Sequence, residues 1–191
     1  MKCLVIHPED ETTTFLKVIY SHLKNKTVIT GGVSKSSIVQ LIKEHDRVMM
    51  MGHGSPSGLF AMGQFFTNAP YIIDQTIVPF LMTKKDNVFI WCNADRFTQR
   101  HGLSGLYSGM YVSEFDEALY CGIWDVDLKW ITESNNGFSS NLSKYINDPI
   151  DVLYKNLMNG YGLLAQNNPI AKFNHERLFL KLPNTKSNGR D

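Results

Sequence analysis

Two reactive side chains each follow an apolar run in this sequence. His53, with a glycine on either side, comes directly after residues 48–51, and Cys92 comes directly after residues 88–91. A thiolate is a strong nucleophile, and an imidazole nearby can take the thiol proton. Glycines leave backbone amides accessible, and such amides can stabilise an oxyanion. The residue types therefore predict Cys92 as nucleophile, His53 as general base, and the amides of Gly54 and Cys92 as oxyanion donors.

The segments that must position these side chains alternate between strand and helix patterns. Short β-branched or apolar runs suit strands, and apolar residues at helical spacing, such as Ile38, Leu41 and Ile42, suit helices. Strands are predicted at residues 3–6, 27–30, 47–51 and 87–91, and helices at residues 12–23, 34–45 and 73–83. This alternation predicts an α/β fold with a mostly parallel sheet between two helix layers, a three-layer α/β/α sandwich. Both reactive residues would then emerge at the carboxyl edge, where ligands bind in such sheets.

The second half has weaker patterns. We expect a fifth strand at residues 110–112, a helix from a capping box at Ser113 to Tyr120, a helix over residues 149–158 and an edge strand near residues 178–180. Residues 127–141 are polar and ambiguous. Neither a repeat nor a linker divides the chain, so residues 1–182 are predicted to form one domain, with 183–191 as a polar, frayed tail.

An apolar strand ending in His-Gly, followed by an apolar strand ending in Cys, resembles the caspase-like (clan CD) cysteine peptidases. Gly52-His53-Gly54-Ser55 is similar to the separase and gingipain versions of the motif, and Cys92-Asn93-Ala94-Asp95 is similar to the gingipain nucleophile loop. The resemblance covers residues 48–119. It implies a caspase-like fold and a cysteine endopeptidase that needs no cofactor and acts through an acyl-enzyme on a peptide or protein substrate.

Acidic residues near the nucleophile suggest what this peptidase would cleave. Asp95, Glu114, Asp116 and Glu117 are close to Cys92 in the sequence, and the first three are predicted for the substrate pocket. A carboxylate there would favour a basic side chain before the cut. The alternative is that these acids only stabilise helix N-termini, where negative charge is favourable.

Composition excludes several other functions. With 19 basic and 18 acidic residues, the net charge of +1 argues against a nucleic-acid binder. No apolar stretch is long enough to cross a bilayer, which argues against a membrane partner. Three cysteines do not make a disulfide framework, so we expect free thiols in the cytoplasm. The histidines and cysteines lack zinc-ligand spacing, so no metal is predicted. The sequence leaves open whether the chain forms a homo-oligomer.

Two other functions stay open from the sequence. The first is a non-catalytic binding or regulatory domain that keeps a relic of the His53–Cys92 dyad. The second is a nucleotide-binding protein that uses Gly31-Gly32 and Lys35, although this loop lacks the spacing of a complete phosphate-binding motif. A serine N-cap at Ser34 explains the same residues as an ordinary strand-to-helix connection.

Overall fold

The computed structural model describes residues 1–63 and 65–183, so the predicted frayed tail lies outside the described residues except for Pro183. The first half contains β1 (Cys3–Ile6), a 3-10 helix (Glu11–Leu16), α1 (Lys17–Ser21), β2 (Lys26–Ile29), α2 (Lys35–Glu44), β3 (Arg47–Met51), β4 (Gly54–Ser55), β5 (Gly58–Phe60), β6 (Tyr71–Ile73), α3 (Val78–Leu81) and β7 (Val88–Ile90). The second half contains α4 (Ala94–Arg100), β8 (Gly105–Ser108), α5 (Phe115–Tyr120), α6 (Leu128–Tyr145), α7 (Ile150–Ala165), α8 (Pro169–His175) and β9 (Leu178–Lys181).

A six-stranded sheet in the order β2-β1-β3-β7-β8-β9 forms the centre of the fold. Its first five strands are parallel, and β9 pairs antiparallel with β8 at the edge. A second, antiparallel sheet of β4, β5 and β6 is inserted after β3. The predicted α/β class and mostly parallel sheet are confirmed, as are the strands at residues 3–6 and 47–51 and the edge strand near residue 178.

Both faces of the central sheet are covered, which explains why its strands have continuous apolar sequences. Val5, Met49 and Met51 point into one core with residues of α1, α6 and α7. Leu4 and Met50 point into a second core with residues of α2, α3 and α4. This arrangement is compatible with a three-layer α/β/α sandwich. Among the helices in residues 1–63 and 65–183, none is both long and apolar enough to cross a membrane.

Two sequence predictions about the strands and helices are wrong. The fifth strand lies at Gly105–Ser108, while residues 110–112 are irregular. A Cβ at Gly105 would lie 2.2 Å from the Asn87 carbonyl oxygen, so only glycine fits at this position. Because glycine is unfavourable in strands, the local sequence did not indicate a strand here. The helix predicted over residues 73–83 starts only at Val78, because Ile73 pairs with Leu59 of β5.

The ambiguous segment at residues 127–141 is the beginning of the 18-residue helix α6. Its N-cap is Asp127, whose carboxylate accepts a hydrogen bond from the Lys129 amide at 2.8 Å. The predicted helix at residues 149–158 is also longer than expected and continues as α7 to Ala165.

Candidate active site

The candidate site lies at the carboxyl edge of the central sheet, where the strand order reverses. The chain adds β2 on one side of β1 and β3 on the other, so the loops after β1 and β3 diverge at this point. Open α/β sheets bind ligands at such a switch point. The loop after β1, together with His53 after β3 and Cys92 after β7, lines one cleft here. The sequence prediction that the two residues emerge together therefore agrees with the geometry.

The cleft is narrow and mostly apolar. The space between its atoms is about 290 Å³, a volume that includes the part open to solvent. The residues that line it are Thr13, Phe15, Leu16, Gly52, His53, Ile90, Trp91, Cys92, Tyr111 and Ser113. The aromatic rings of Phe15 and Tyr111 stack with centroids 6.4 Å apart, so the 3-10 helix after β1 and the segment after β8 meet at the wall of the cleft.

The glycines beside His53 have structural roles that the sequence did not specify. Gly52 has φ of +136°, a conformation that L side chains rarely adopt, and this turn takes the chain out of β3. A Cβ at Gly54 would lie 2.3 Å from Cδ1 of Trp91, so the indole packs directly against the backbone. Trp91 Nε1 also donates a 3.1 Å hydrogen bond to the Ser55 carbonyl oxygen. Trp91, which precedes Cys92, therefore holds β4 in place directly after His53.

A threonine and an aspartate from the loop after β1 hold the His53 ring. The Thr12 hydroxyl donates to Asp10 Oδ1 at 2.6 Å, and its oxygen lies 2.6 Å from His53 Nε2. Because the single Thr12 proton is used on the carboxylate, Nε2 of His53 must be the donor to Thr12. In the neutral ring Nδ1 then carries the free lone pair. Asp10 Oδ1 itself lies 3.5 Å from Nε2.

The hydrogen bond from Thr12 is the main cause that lowers the pKa of Asp10, and the nearby His53 lowers it further. The carboxylate is therefore present as an anion that can stabilise an imidazolium. A general base oriented by a third group is the usual arrangement behind an activated nucleophile. Asp10 and Thr12 were not predicted as site residues, because nothing in the local sequence shows that Thr12 contacts a residue 41 positions later.

A second, buried histidine supports that loop. His7 Nδ1 lies 3.0 Å from the Tyr20 hydroxyl, and His7 Nε2 lies 3.1 Å from Thr13 Oγ1. Burial lowers the pKa of His7 to about 4, with the positive charge of Lys17 as a smaller cause. His7 is thus neutral near pH 7 and acts as a fixed hydrogen-bonding group.

The thiol of Cys92 points at the carboxylate of Glu117, which is not one of the three acids predicted for the pocket. Cys92 Sγ lies 3.4 Å from the Tyr111 carbonyl oxygen and 3.7 Å from Glu117 Oε1, both as hydrogen-bond acceptors. Burial raises the pKa of Cys92 to about 12, and the negative charge of Glu117 adds to the increase. In this state the thiol is protonated. Within the described residues it forms no hydrogen bond with His53.

Glu117 is held in place by its other carboxylate oxygen. Oε2 accepts hydrogen bonds from the Ser113 amide at 2.7 Å, the Ser113 hydroxyl at 2.9 Å and the Glu114 amide at 3.2 Å. This is one half of a capping box at the start of α5, with Glu114 as the N-cap. The predicted box at Ser113 is therefore displaced by one residue.

Neither of the two predicted oxyanion amides is hydrogen-bonded to a neighbouring strand of the described structure. Phe60 N donates to His53 O, so the next pair, Gly54 with Leu59, is of the non-hydrogen-bonded type. The Gly54 amide consequently points away from β5. In the described part of the chain the amide of Cys92 has no acceptor, whereas the amide of Asn93 is bonded to Gly109 O at 3.0 Å.

The three acids predicted for the substrate pocket are not among the residues that line the cleft in the described structure. Asp95 lies in the first turn of α4, and its Oδ1 is buried without a partner among the described residues. Glu114 is the N-cap of α5 and Asp116 lies in its first turn, as the helix-stabilising alternative expects. The carboxylate that the fold brings to the thiol is that of Glu117.

The glycine loop considered for nucleotides has a different arrangement. Lys35 forms an ion pair with Asp74, and Ser34 caps α2 through the Ser37 amide. The cation that a phosphate would need is therefore already paired.

Comparisons with protein-family models, curated proteins and solved structures give no match to this chain.

Proposed function

We propose that this chain is a cysteine endopeptidase with a caspase-like fold, in which Cys92 is the nucleophile and His53 the general base. The observation that carries the proposal is that both side chains line one cleft at the switch point of a mostly parallel sheet. The order of the two motifs along the chain, His53-Gly54 first and Cys92 second, supports the caspase-like assignment. Because the nucleophile must stay reduced, the proposed setting is the cytoplasm.

The thiol pKa of about 12 determines how the reaction would begin. The resting enzyme holds a neutral thiol, so the proton leaves Sγ as the sulfur attacks the peptide carbonyl carbon. His53 Nδ1 accepts that proton, and Asp10 stabilises the resulting imidazolium through Thr12. The sulfur must first turn away from Tyr111 O and Glu117, a rearrangement that substrate binding would drive.

The remaining steps follow from the same groups. The carbonyl oxygen becomes an oxyanion that the amides of Gly54 and Cys92 stabilise. When the C–N bond breaks, the imidazolium returns its proton to the leaving amine, and a thioester to Cys92 remains. Water then attacks the thioester with His53 as base, and the carboxylic acid product and the thiol are released.

A basic residue before the cut is the proposed preference. Asp95, Glu114 and Asp116 are the pocket acids proposed from the sequence, and Glu117 is the carboxylate nearest the sulfur. A Lys or Arg side chain paired with Glu117 would also remove the negative charge that opposes thiolate formation. A peptide library that varies this one position tests the preference, and selective cleavage after Asp or after an apolar residue would contradict it.

The experiment that tests the activity uses single-site variants and a peptide library. Cys92→Ala and His53→Ala should each remove peptide hydrolysis, and Cys121→Ala is the matched control because Cys121 does not line the cleft. Circular dichroism confirms that each variant is folded. Undiminished hydrolysis by the Cys92→Ala protein would end the proposal.

A non-catalytic binding domain is the competing function, and the protonated, half-buried thiol favours it. Thiol alkylation followed residue by residue separates the two. A working dyad requires that peptide substrate or its analogue accelerates modification of Cys92 and that His53→Ala slows it. If Cys92 stays inert under every condition in which Cys121 reacts, the binding function is the better one.

A further inference from the structure

The amino edge of the central sheet, opposite the candidate active site, carries a cavity lined by basic and amide side chains. Its polar side chains are those of His22, Lys24, Asn25, Arg47 and Asn147, and the space between atoms is about 850 Å³, open solvent included. Among the described residues that line it there is no carboxylate. The charge of this cavity therefore suits an anion.

Arg47, the first residue of β3, is the unusual member of this group. It is 1% exposed, and arginine is almost never buried so completely without a charged partner. Its Nε donates to the Asp86 carbonyl oxygen at 2.8 Å and its Nη1 donates to the Ile146 carbonyl oxygen at 2.6 Å. Its Nη2 is buried and has no hydrogen-bond partner among the described residues.

The two hydrogen bonds to carbonyl oxygens explain why the Arg47 side chain lies here, but they do not neutralise its positive charge. Ile146 is the C-cap of α6, so one bond satisfies a carbonyl at the negative end of a helix. Burial lowers the pKa of Arg47, and Cys3 and Asp86 nearby only partly offset this. No carboxylate within the described residues forms an ion pair with the guanidinium.

We propose that this cavity binds a phosphate-type oxyanion, with Arg47 Nη2 at its floor and Lys24 at its mouth. A planar carboxylate prefers the two-pronged edge of a guanidinium, but Nε and one N–H of Nη1 are already used, so those edges are only partly free. The donors that remain belong to three segments of the chain: Lys24 and Asn25 before β2, Arg47 on β3, and Asn147 after α6. Donors from several directions match a tetrahedral anion better than a planar one.

Inorganic phosphate is the probe, and calorimetric titration at constant ionic strength is the measurement. We expect saturable binding in the millimolar range, with acetate binding more weakly. Lys24→Met should weaken phosphate binding roughly threefold to tenfold, since it removes one exposed charged contact. The matched control is Lys155→Met, because Lys155 is an exposed lysine on α7 that does not line the cavity.

Three outcomes would overturn the proposal: no saturable binding of phosphate, equal weakening in both lysine variants, or acetate binding as tight as phosphate. Arg47→Met should abolish binding if circular dichroism shows that the variant is folded. If it fails to fold, the comparison of the two lysine variants still decides the question.

Discussion

Replacing Glu117 with glutamine should make Cys92 markedly more reactive. In the wild-type protein Glu117 Oε1 lies 3.7 Å from the thiol sulfur, and its negative charge opposes formation of the thiolate. Glutamine is also accepted at this position of a capping box. If its oxygen keeps the hydrogen bonds from Ser113 and Glu114, its amide nitrogen faces the sulfur and can donate to the thiolate.

The size of the effect follows from the separation of the two charges. Two charges about 4 Å apart interact by roughly 1 kcal/mol in water and roughly 4 kcal/mol near a protein surface. At about 1.4 kcal/mol per pKa unit, and with burial as the larger cause of the raised value, the pKa of Cys92 should fall by about 1 to 2 units. The thiolate fraction near pH 8 then rises about tenfold to a hundredfold. Lower intrinsic nucleophilicity of the more acidic thiol reduces the net gain in alkylation rate to about 3- to 10-fold.

The assay is iodoacetamide alkylation between pH 7 and 10, with Cys92 followed separately from Cys3 and Cys121 by peptide mass spectrometry. Asp116→Asn is the control, since Asp116 is a neighbouring acid on α5 with no contact to the sulfur. Its alkylation profile should match the wild type. An unchanged or slower rate in Glu117→Gln would refute the role assigned to this carboxylate.

Three further predictions test the support of the site and the fold. Thr12→Val removes the hydroxyl that links the aspartate to His53, so kcat for peptide hydrolysis should fall roughly tenfold with the fold intact, and an unchanged kcat would argue against the link. For His7, the pKa of about 4 in the folded protein is below the ordinary 6.5, so the unfolded chain binds the proton more tightly and stability is lost as pH falls from about 6.5 towards 4. Between pH 8 and pH 5 the loss should be about 2 kcal/mol in urea unfolding, and an NMR titration midpoint of the His7 ring near 6.5 would contradict it. Gly58→Ala places a Cβ 1.9 Å from the Ile73 carbonyl oxygen at a φ of +144°, and should lower the free energy of unfolding by at least about 2 kcal/mol, measured against Gly32→Ala, whose Cβ meets nothing within 4 Å.

The local sequence was sufficient to predict the strands that are buried on both faces of the sheet. The strand at Arg47–Met51 is buried on both sides, so its last four residues are apolar without interruption, and its bounds were predicted correctly. The same is true of Cys3–Ile6. Both lead into loops at the carboxyl edge, which is why the position of His53 at that edge follows from the sequence alone.

Elements that depend on distant partners were not predictable in the same way. The strand at Gly105–Ser108 is weak in intrinsic strand preference and is stabilised by pairing on both sides, with β7 and β9. The three-stranded sheet after β3 was missed because β4, β5 and β6 are only two or three residues long. Without it, the anchoring of Gly54 by Trp91 could not be foreseen.

The sequence by itself determined an α/β fold, the order of its main strands along the chain, and the placement of a histidine and a cysteine at the ends of consecutive strands. The tertiary structure decided which side chains surround them. Asp10 and Thr12 reach His53 because the loop after β1 folds over the switch point, and Glu117 reaches Cys92 because the start of α5 packs beside it. Such contacts join residues far apart in the sequence, and their energies depend on distance and burial, which residue spacing does not report.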